Sequence, residues 1–123
     1  MRGTFDPIWP FGTELYARML YLENDSTQVL LLALDTLCTA PDETTRLRTI
    51  VSEKTGIPAD HIWYHELQVH AAPDSLILQG AVLDKIIERI CVQTLQLISK
   101  AVPFSCEVVE ADLGTKYSMN REQ

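Results

Sequence analysis

The chain has 123 residues and a net charge of -7. Its length is that of one domain built around a single core. Its acidic balance offers no basic stripe that could displace counterions from phosphates, so we expect no nucleic-acid partner. The longest uninterrupted apolar run, residues 29–34, is far shorter than the roughly 20 residues that cross a bilayer, and the first residues lack the apolar core of a secretory signal. We therefore expect no membrane span and a cytoplasmic location.

The first part of the chain predicts an irregular arm followed by a β-hairpin. Residues 1–13 combine prolines, glycines and aromatic residues, which favours an arm that covers the core over a regular element. Residues 15–22 and the apolar run 28–35 suit two strands, and Asn24-Asp25-Ser26 between them supplies turn chemistry. Because the second strand is continuously apolar, we expect it to be central in the sheet and covered on both faces.

A helix and a third strand are predicted next. Thr39 is the expected N-cap, Pro41 lies in the first turn, and Gly56 ends the helix. After a turn at residues 58–60, residues 62–69 form the strand. Alternation along a strand places every second side chain on one face. One face of this strand and its exit therefore carries four polar residues: Tyr64, Glu66, Gln68 and His70.

The last part of the chain predicts a long helix and a further strand. The helix starts at about residue 74 or 81, runs to residue 101, and is closed by Pro103. Alternation of Phe104, Cys106 and Val108 with polar residues predicts a strand over 104–113, followed by a polar tail at 114–123. The resulting order is ββαβαβ, which indicates a single-domain α/β sandwich with a mixed β-sheet and helices packed on it.

The candidate site lies where the strand 62–69 ends. A histidine at this position, His70, can act as a general acid or base near neutral pH, although a histidine hydrogen-bonded at a strand end fits the same pattern. Glu66 is an inward carboxylate, which is costly to bury unless paired. Asp35 ends the apolar strand and could orient His70 through a ring N–H, or could be a turn aspartate. Tyr64 and Gln68 are substrate-binding candidates on the same face.

Several motifs together resemble the N-terminal part of the neutral/alkaline non-lysosomal ceramidase family. They are Pro10-Phe11-Gly12, Leu34-Asp35, the run Lys54-Thr55-Gly56-Ile57-Pro58-Ala59-Asp60-His61-Ile62, His70-Ala71-Ala72-Pro73, and Asn120-Arg121. The resemblance implies a zinc-dependent amide hydrolase scaffold whose strand exit reads His-Thr-His-Ser-Gly-Pro, with the first histidine as a zinc ligand. It also implies that Asn120 and Arg121 bind substrate.

The zinc site implied by this resemblance is changed at its leading position, where this chain carries Gln68. Glutamine is a poor zinc ligand compared with thiolate, imidazole or carboxylate. The family's remaining ligands and its serine-containing loop fall beyond residue 123. We therefore expect no zinc site of the family kind and no ceramidase activity. We also expect a homo-oligomer, or a separately encoded partner chain, that covers the surfaces which the missing half would cover.

Three functions remain open from the sequence. The first is a small-molecule enzyme that uses acid/base chemistry at the strand exit, with His70 and Glu66 in the proton-transfer roles and Asp35 or Arg121 orienting the substrate. The second is a non-catalytic ligand-binding or interaction protein on the same scaffold, with a small-molecule or lipid-like amide ligand. The third is a zinc-dependent amide hydrolase completed by another chain.

Overall fold

The computed structural model describes residues 2–4 and 15–112. It confirms the α/β class, with a mixed sheet and two helices. Of the arm predicted at 1–13, residues 2–4 form a short strand, and the remainder lies outside the described residues, as does the tail 114–123. The elements are β1 (Arg2–Thr4), β2 (Tyr16–Glu23), β3 (Gln28–Leu34), α1 (Pro41–Thr55), a 3-10 turn (Ala59–His61), β4 (Ile62–Glu66) and α2 (Gly80–Ser99).

The sheet has the strand order β1-β2-β3-β4. β2 pairs antiparallel with β1 and with β3, whereas β3 and β4 are parallel. The predicted hairpin is confirmed, and its turn is closed by Asn24. The Oδ1 atom of Asn24 accepts the backbone N–H groups of Ser26 at 3.0 Å and Thr27 at 2.8 Å. These bonds satisfy two donors that the turn would otherwise leave without a protein partner.

The start of α1 differs from the prediction, and its end confirms it. Thr39 is not the N-cap: the N-cap is Ala40, which has no side-chain cap, and the helix begins at Pro41. Thr39 does not cap the helix, because its hydroxyl forms a hydrogen bond of 2.6 Å with Tyr64. Gly56 ends the helix with a φ of +81°. This left-handed conformation favours glycine, since it has no Cβ to clash with the backbone.

Both helices pack on the same face of the sheet. α2 contacts β1 and β2, α1 contacts β4, and the two helices contact each other. A continuous core of aliphatic side chains fills the space between these layers. Its fully buried members include Leu30, Leu32 and Leu34 of β3, Leu47 and Val51 of α1, and Leu83, Ile87 and Ile90 of α2.

The opposite face of the sheet is not covered by any helix or strand in the described ranges. The described residues thus do not supply the second cover that was expected for β3. Leu31 is half-buried because flanking strands shield it, whereas Leu20 is 53% exposed and Trp63 is 72% exposed. We call this surface the open sheet face. It consists of Arg18, Leu20, Leu31, Ala33, Trp63 and His65.

Two strand predictions need correction. The strand predicted at 62–69 ends at Glu66, because Gln68 has a φ of +52°, which leaves the extended conformation. The strand predicted at 104–113 is absent from residues 104–112, which are exposed and have no regular secondary structure, so these residues do not supply the final strand of the predicted ββαβαβ order.

Neither described helix combines the length and the apolar character that a membrane span needs.

Candidate functional site

The segments that follow β3 and β4 run side by side, because the two strands are parallel neighbours. The Leu67 N–H donates to the Leu34 carbonyl at 3.0 Å, and the Val69 N–H donates to the Thr36 carbonyl at 3.0 Å. The carboxyl ends of parallel strands are the usual place for ligands in open α/β sheets. The fold therefore brings Asp35 and the exit of β4 together at the carboxyl ends of these two strands, as the candidate site requires.

Asp35 is held by the hairpin and not by His70. Its Oδ2 atom accepts the Tyr16 backbone N–H at 3.0 Å, and its Oδ1 atom accepts Nη1 of Arg18 at 2.5 Å. Its side chain is only 12% exposed. Both oxygens thus tie the end of β3 to β2, and Asp35 makes no hydrogen bond with His70 in the described part of the chain. Its catalytic role stays a prediction.

Glu66 is paired with Tyr64 at the end of β4. The Tyr64 hydroxyl donates to Oε1 of Glu66 at 3.1 Å. Since the phenol proton is used there, the 2.6 Å bond with Thr39 is one in which the Thr39 hydroxyl donates to Tyr64. The cost of an inward carboxylate is thus reduced by a neutral donor. Glu66 and Tyr64 meet as predicted, and Thr39 is a third member that the sequence did not indicate.

Burial raises the pKa of Tyr64 to about 12. The Glu66 carboxylate contributes in the same direction, because a second negative charge beside it is unfavourable, whereas the hydrogen bond from Thr39 and the nearby Thr36 hydroxyl lower the pKa. The Thr36 hydroxyl is buried and lacks a hydrogen bond of good geometry within the described residues, although it lies near the phenol. Tyr64 is therefore a neutral hydrogen-bond donor at physiological pH and not a general base.

We expect the ionisation of Tyr64 to be visible at alkaline pH. An ultraviolet absorbance titration should show a phenol that ionises near pH 12, absent from Tyr64→Phe. Unfolded tyrosine has a pKa of about 10. Because the folded pKa is higher, the stability linked to this group is complete below about pH 10 and is lost as the pH rises towards 12. A Tyr64→Phe chain with equal or steeper stability loss over this range would contradict the assignment.

Gln68 and His70 do not join this cluster. Both side chains are exposed, and His70 makes no hydrogen bond with any described residue. The left-handed backbone of Gln68 interrupts the alternation that was expected to put both side chains beside Glu66. Asn120 and Arg121, the other predicted substrate-binding residues, lie outside the described residues.

No cluster of metal ligands forms among the described residues around the β4 exit. A catalytic zinc site needs three protein ligands, and the described residues contain no group of three His, Cys, Asp or Glu side chains that could hold a metal. Glu66 is already engaged by Tyr64. The expectation that this chain has no zinc site stays a prediction.

A different concavity lies on the open sheet face. It is a groove of about 450 Å³ whose side-chain lining comes from all three long strands. In the strand register, Leu20, Leu31 and Trp63 form one row, which is apolar. The next row consists of Arg18, Ala33 and His65. Alternation in the sequence separates Trp63 and His65 from Glu66 and His70, but it does not reveal that their face is uncovered.

The polar row of this groove, Arg18, Ala33 and His65, retains hydrogen-bonding capacity. Arg18 uses Nη1 for Asp35, and its guanidinium lies 5.2 Å from the centre of the Tyr16 ring. A guanidinium has five N–H donors, so the ion pair leaves others available. The His65 side chain is exposed and makes no hydrogen bond with the described residues. The groove therefore combines an apolar row with polar groups on both sides of the small Ala33.

Comparisons with protein-family models, with curated proteins and with solved structures find no match.

Proposed function

We propose that this chain is a non-catalytic binding protein that holds an apolar small molecule on the open sheet face. The observation that supports this most directly is the groove of about 450 Å³ with an apolar row and two polar side chains. Small-molecule sites have volumes of about 300–1,000 Å³ and the same mixture of apolar walls and a few polar groups.

Trp63 supplies most of the expected binding energy. Its side chain is 72% exposed and lies beside Leu31, which it meets in the strand register. A tryptophan can bury up to about 250 Å², and each Å² of apolar area removed from water contributes about 25 cal/mol. A flat ligand that covers roughly half of the exposed indole would therefore gain about 2 kcal/mol from Trp63.

The row of Arg18, Ala33 and His65 defines the polar end of the ligand. The small Ala33 leaves room between the two polar side chains, which lie on the strands at either side of it. Arginine forms strong, charge-assisted hydrogen bonds with oxygen acceptors. The expected ligand is thus an apolar molecule that ends in an acidic or carbonyl oxygen group. A lipid-like amide, as predicted from the sequence resemblance, has this chemistry.

The contacts at the β4 exit favour binding over acid/base catalysis. Asp35 is engaged by Arg18 and Tyr16, Glu66 is engaged by Tyr64, and His70 contacts neither carboxylate through a hydrogen bond. A general base needs a partner that positions it, and the described residues offer none to His70. The ceramidase-like ancestry, the acid/base enzyme and the hydrolase completed by another chain stay predictions.

Two fluorescent probes test the proposed groove. Anilinonaphthalene sulfonate carries an anionic group, whereas Nile red is apolar and uncharged. We expect Trp63→Ser to weaken both probes by about tenfold or more, which corresponds to about 1.4 kcal/mol. We expect Arg18→Gln to weaken only the sulfonate probe. The matched control is Leu76→Ser, because Leu76 is 77% exposed and does not line the groove.

The pattern of probe binding across the parent chain and its variants decides whether the proposal holds. Far-ultraviolet circular dichroism and urea unfolding establish that each variant is folded at the assay temperature. The proposal fails if the parent chain shows no saturable binding of the sulfonate probe, or if Leu76→Ser weakens binding as much as Trp63→Ser. It also fails in its electrostatic part if Arg18→Gln weakens Nile red equally.

A further inference from the structure

The residues after α2 have the pattern of a β-strand but do not join the described sheet. Phe104, Cys106 and Val108 alternate with polar residues, and every residue from 101 to 112 is exposed. The exposed fractions reach 60% for Phe104, 91% for Val108 and 81% for Val109. A run of exposed bulky hydrophobic side chains marks a surface that another element covers.

The sheet has a free edge that can accept such a strand. β4 is the last strand in the sheet order, and among the described residues it pairs only with β3. Leu67 directs its N–H towards β3. Since backbone groups alternate along a strand, those of Tyr64 and Glu66 point to the opposite, free side. An edge of this kind is a template for pairing with another chain.

We propose that residues 104–110 of one copy add a strand to the free edge of β4 in a second copy, and that the exchange is reciprocal. This is recognition by strand addition, in which backbone hydrogen bonds supply the affinity. Each copy contributes one donor segment and one acceptor edge to the exchange, so the contact closes on itself in a two-fold dimer. The added strand restores the final strand of the order that the sequence predicts.

The layout of the helices favours a second copy over the segment's own sheet. The C-terminal part of α2 lies over β2, where the Thr94 hydroxyl contacts the Met19 sulfur, so residues 101–112 follow a helix end that lies over β2 and not over β4. A strand added beside β4 would lie three strand spacings, about 14 Å, from β2, which is about the full reach of residues 100–103 before any descent from the helix layer to the sheet. β1 is nearer, but its described part offers only three residues to pair with, whereas β4 offers five.

Multi-angle light scattering of the full chain at micromolar concentration tests the dimer. We expect a mass of twice 13.9 kDa, and a single-copy mass for the double variant Val108→Pro/Val109→Pro. Proline lacks the backbone N–H and is excluded from paired positions. Adjacent prolines remove the donor whichever side of the strand faces β4. The matched control is Val102→Pro, because Val102 is 75% exposed and precedes the proposed strand.

A second measurement tests the acceptor edge directly. A fluorescein-labelled peptide of residues 102–112 should bind the full-length double-proline variant in a polarisation assay, and should slow amide hydrogen exchange at residues 62–66. The same peptide with both prolines should not bind. A monomeric parent chain overturns the proposal and indicates pairing within one chain. A dimer that survives the double-proline change, or that Trp63→Ser abolishes in its place, also overturns it.

Discussion

Replacing Leu32 with alanine is expected to lower the free energy of unfolding by about 3 kcal/mol, whereas replacing the adjacent Leu31 is expected to cost about 1 kcal/mol or less. Leu32 is 1% exposed at the middle of the central strand, and its side chain faces the helices. Removing it leaves a cavity that the surrounding core fills only in part. Leu31 points to the open sheet face, where water can occupy the space.

Urea unfolding followed by circular dichroism measures both losses, and equal slopes with urea establish that the unfolded states are comparable. In the folded state, the loss of Nile red binding should follow the reverse order, with Leu31→Ala affected more than Leu32→Ala. Leu31→Ala should weaken Nile red binding several-fold, whereas Leu32→Ala should leave it nearly unchanged. Equal stability losses for the two variants would show that both faces of β3 are covered, and would remove the basis of the groove.

Replacing Asp35 with alanine is expected to destabilise the chain by about 2 kcal/mol, since a hydrogen bond to a charged group contributes about 1.5–3 kcal/mol. The carboxylate accepts the Tyr16 backbone N–H and the Arg18 guanidinium. The Arg18 side chain is 49% exposed, so water screens much of the ion pair. Most of the loss should therefore come from the Tyr16 N–H, which would be left without its acceptor.

Two variants separate the parts of this interaction. Arg18→Gln removes the ion pair but keeps the Tyr16 bond, and should cost less than about 1 kcal/mol. Asp35→Asn retains an oxygen acceptor and should fall between Arg18→Gln and Asp35→Ala. If Asp35→Ala unfolds at the same urea concentration as the parent chain, the carboxylate does not hold the hairpin, and a role for it beside His70 becomes the better explanation.

The elements best predicted from the sequence are those with local causes. The Asn24 turn and the apolar run of β3 predict the hairpin, since a side chain that bonds to its own turn needs no distant partner. Gly56 predicts the end of α1 for the same reason, because its left-handed backbone is a local property. Tyr64 and Glu66 share a face because alternation is inherent in an extended chain.

The remaining features depend on contacts between distant residues. Thr39 resembles an N-cap locally, but the Tyr64 hydroxyl, contributed by a different strand, competes for its side chain. An apolar run such as β3 looks alike whether one or both faces are covered, because flanking strands already shield a central strand. The groove is created by the register of three strands, so no single segment could reveal it.

The parallel pairing of β3 with β4 also determines when the groove can form during folding. Residues 24–27 connect the two strands of the hairpin. Residues 35–61, which include α1, connect β3 to β4, so the pairing of these two strands closes a much longer loop. Closing the longer loop costs more chain entropy, and non-local strand pairing is the slow step in folding. Trp63 and His65 therefore reach Leu31 and Ala33 last, so a chain caught before this step would have the hairpin but no binding surface.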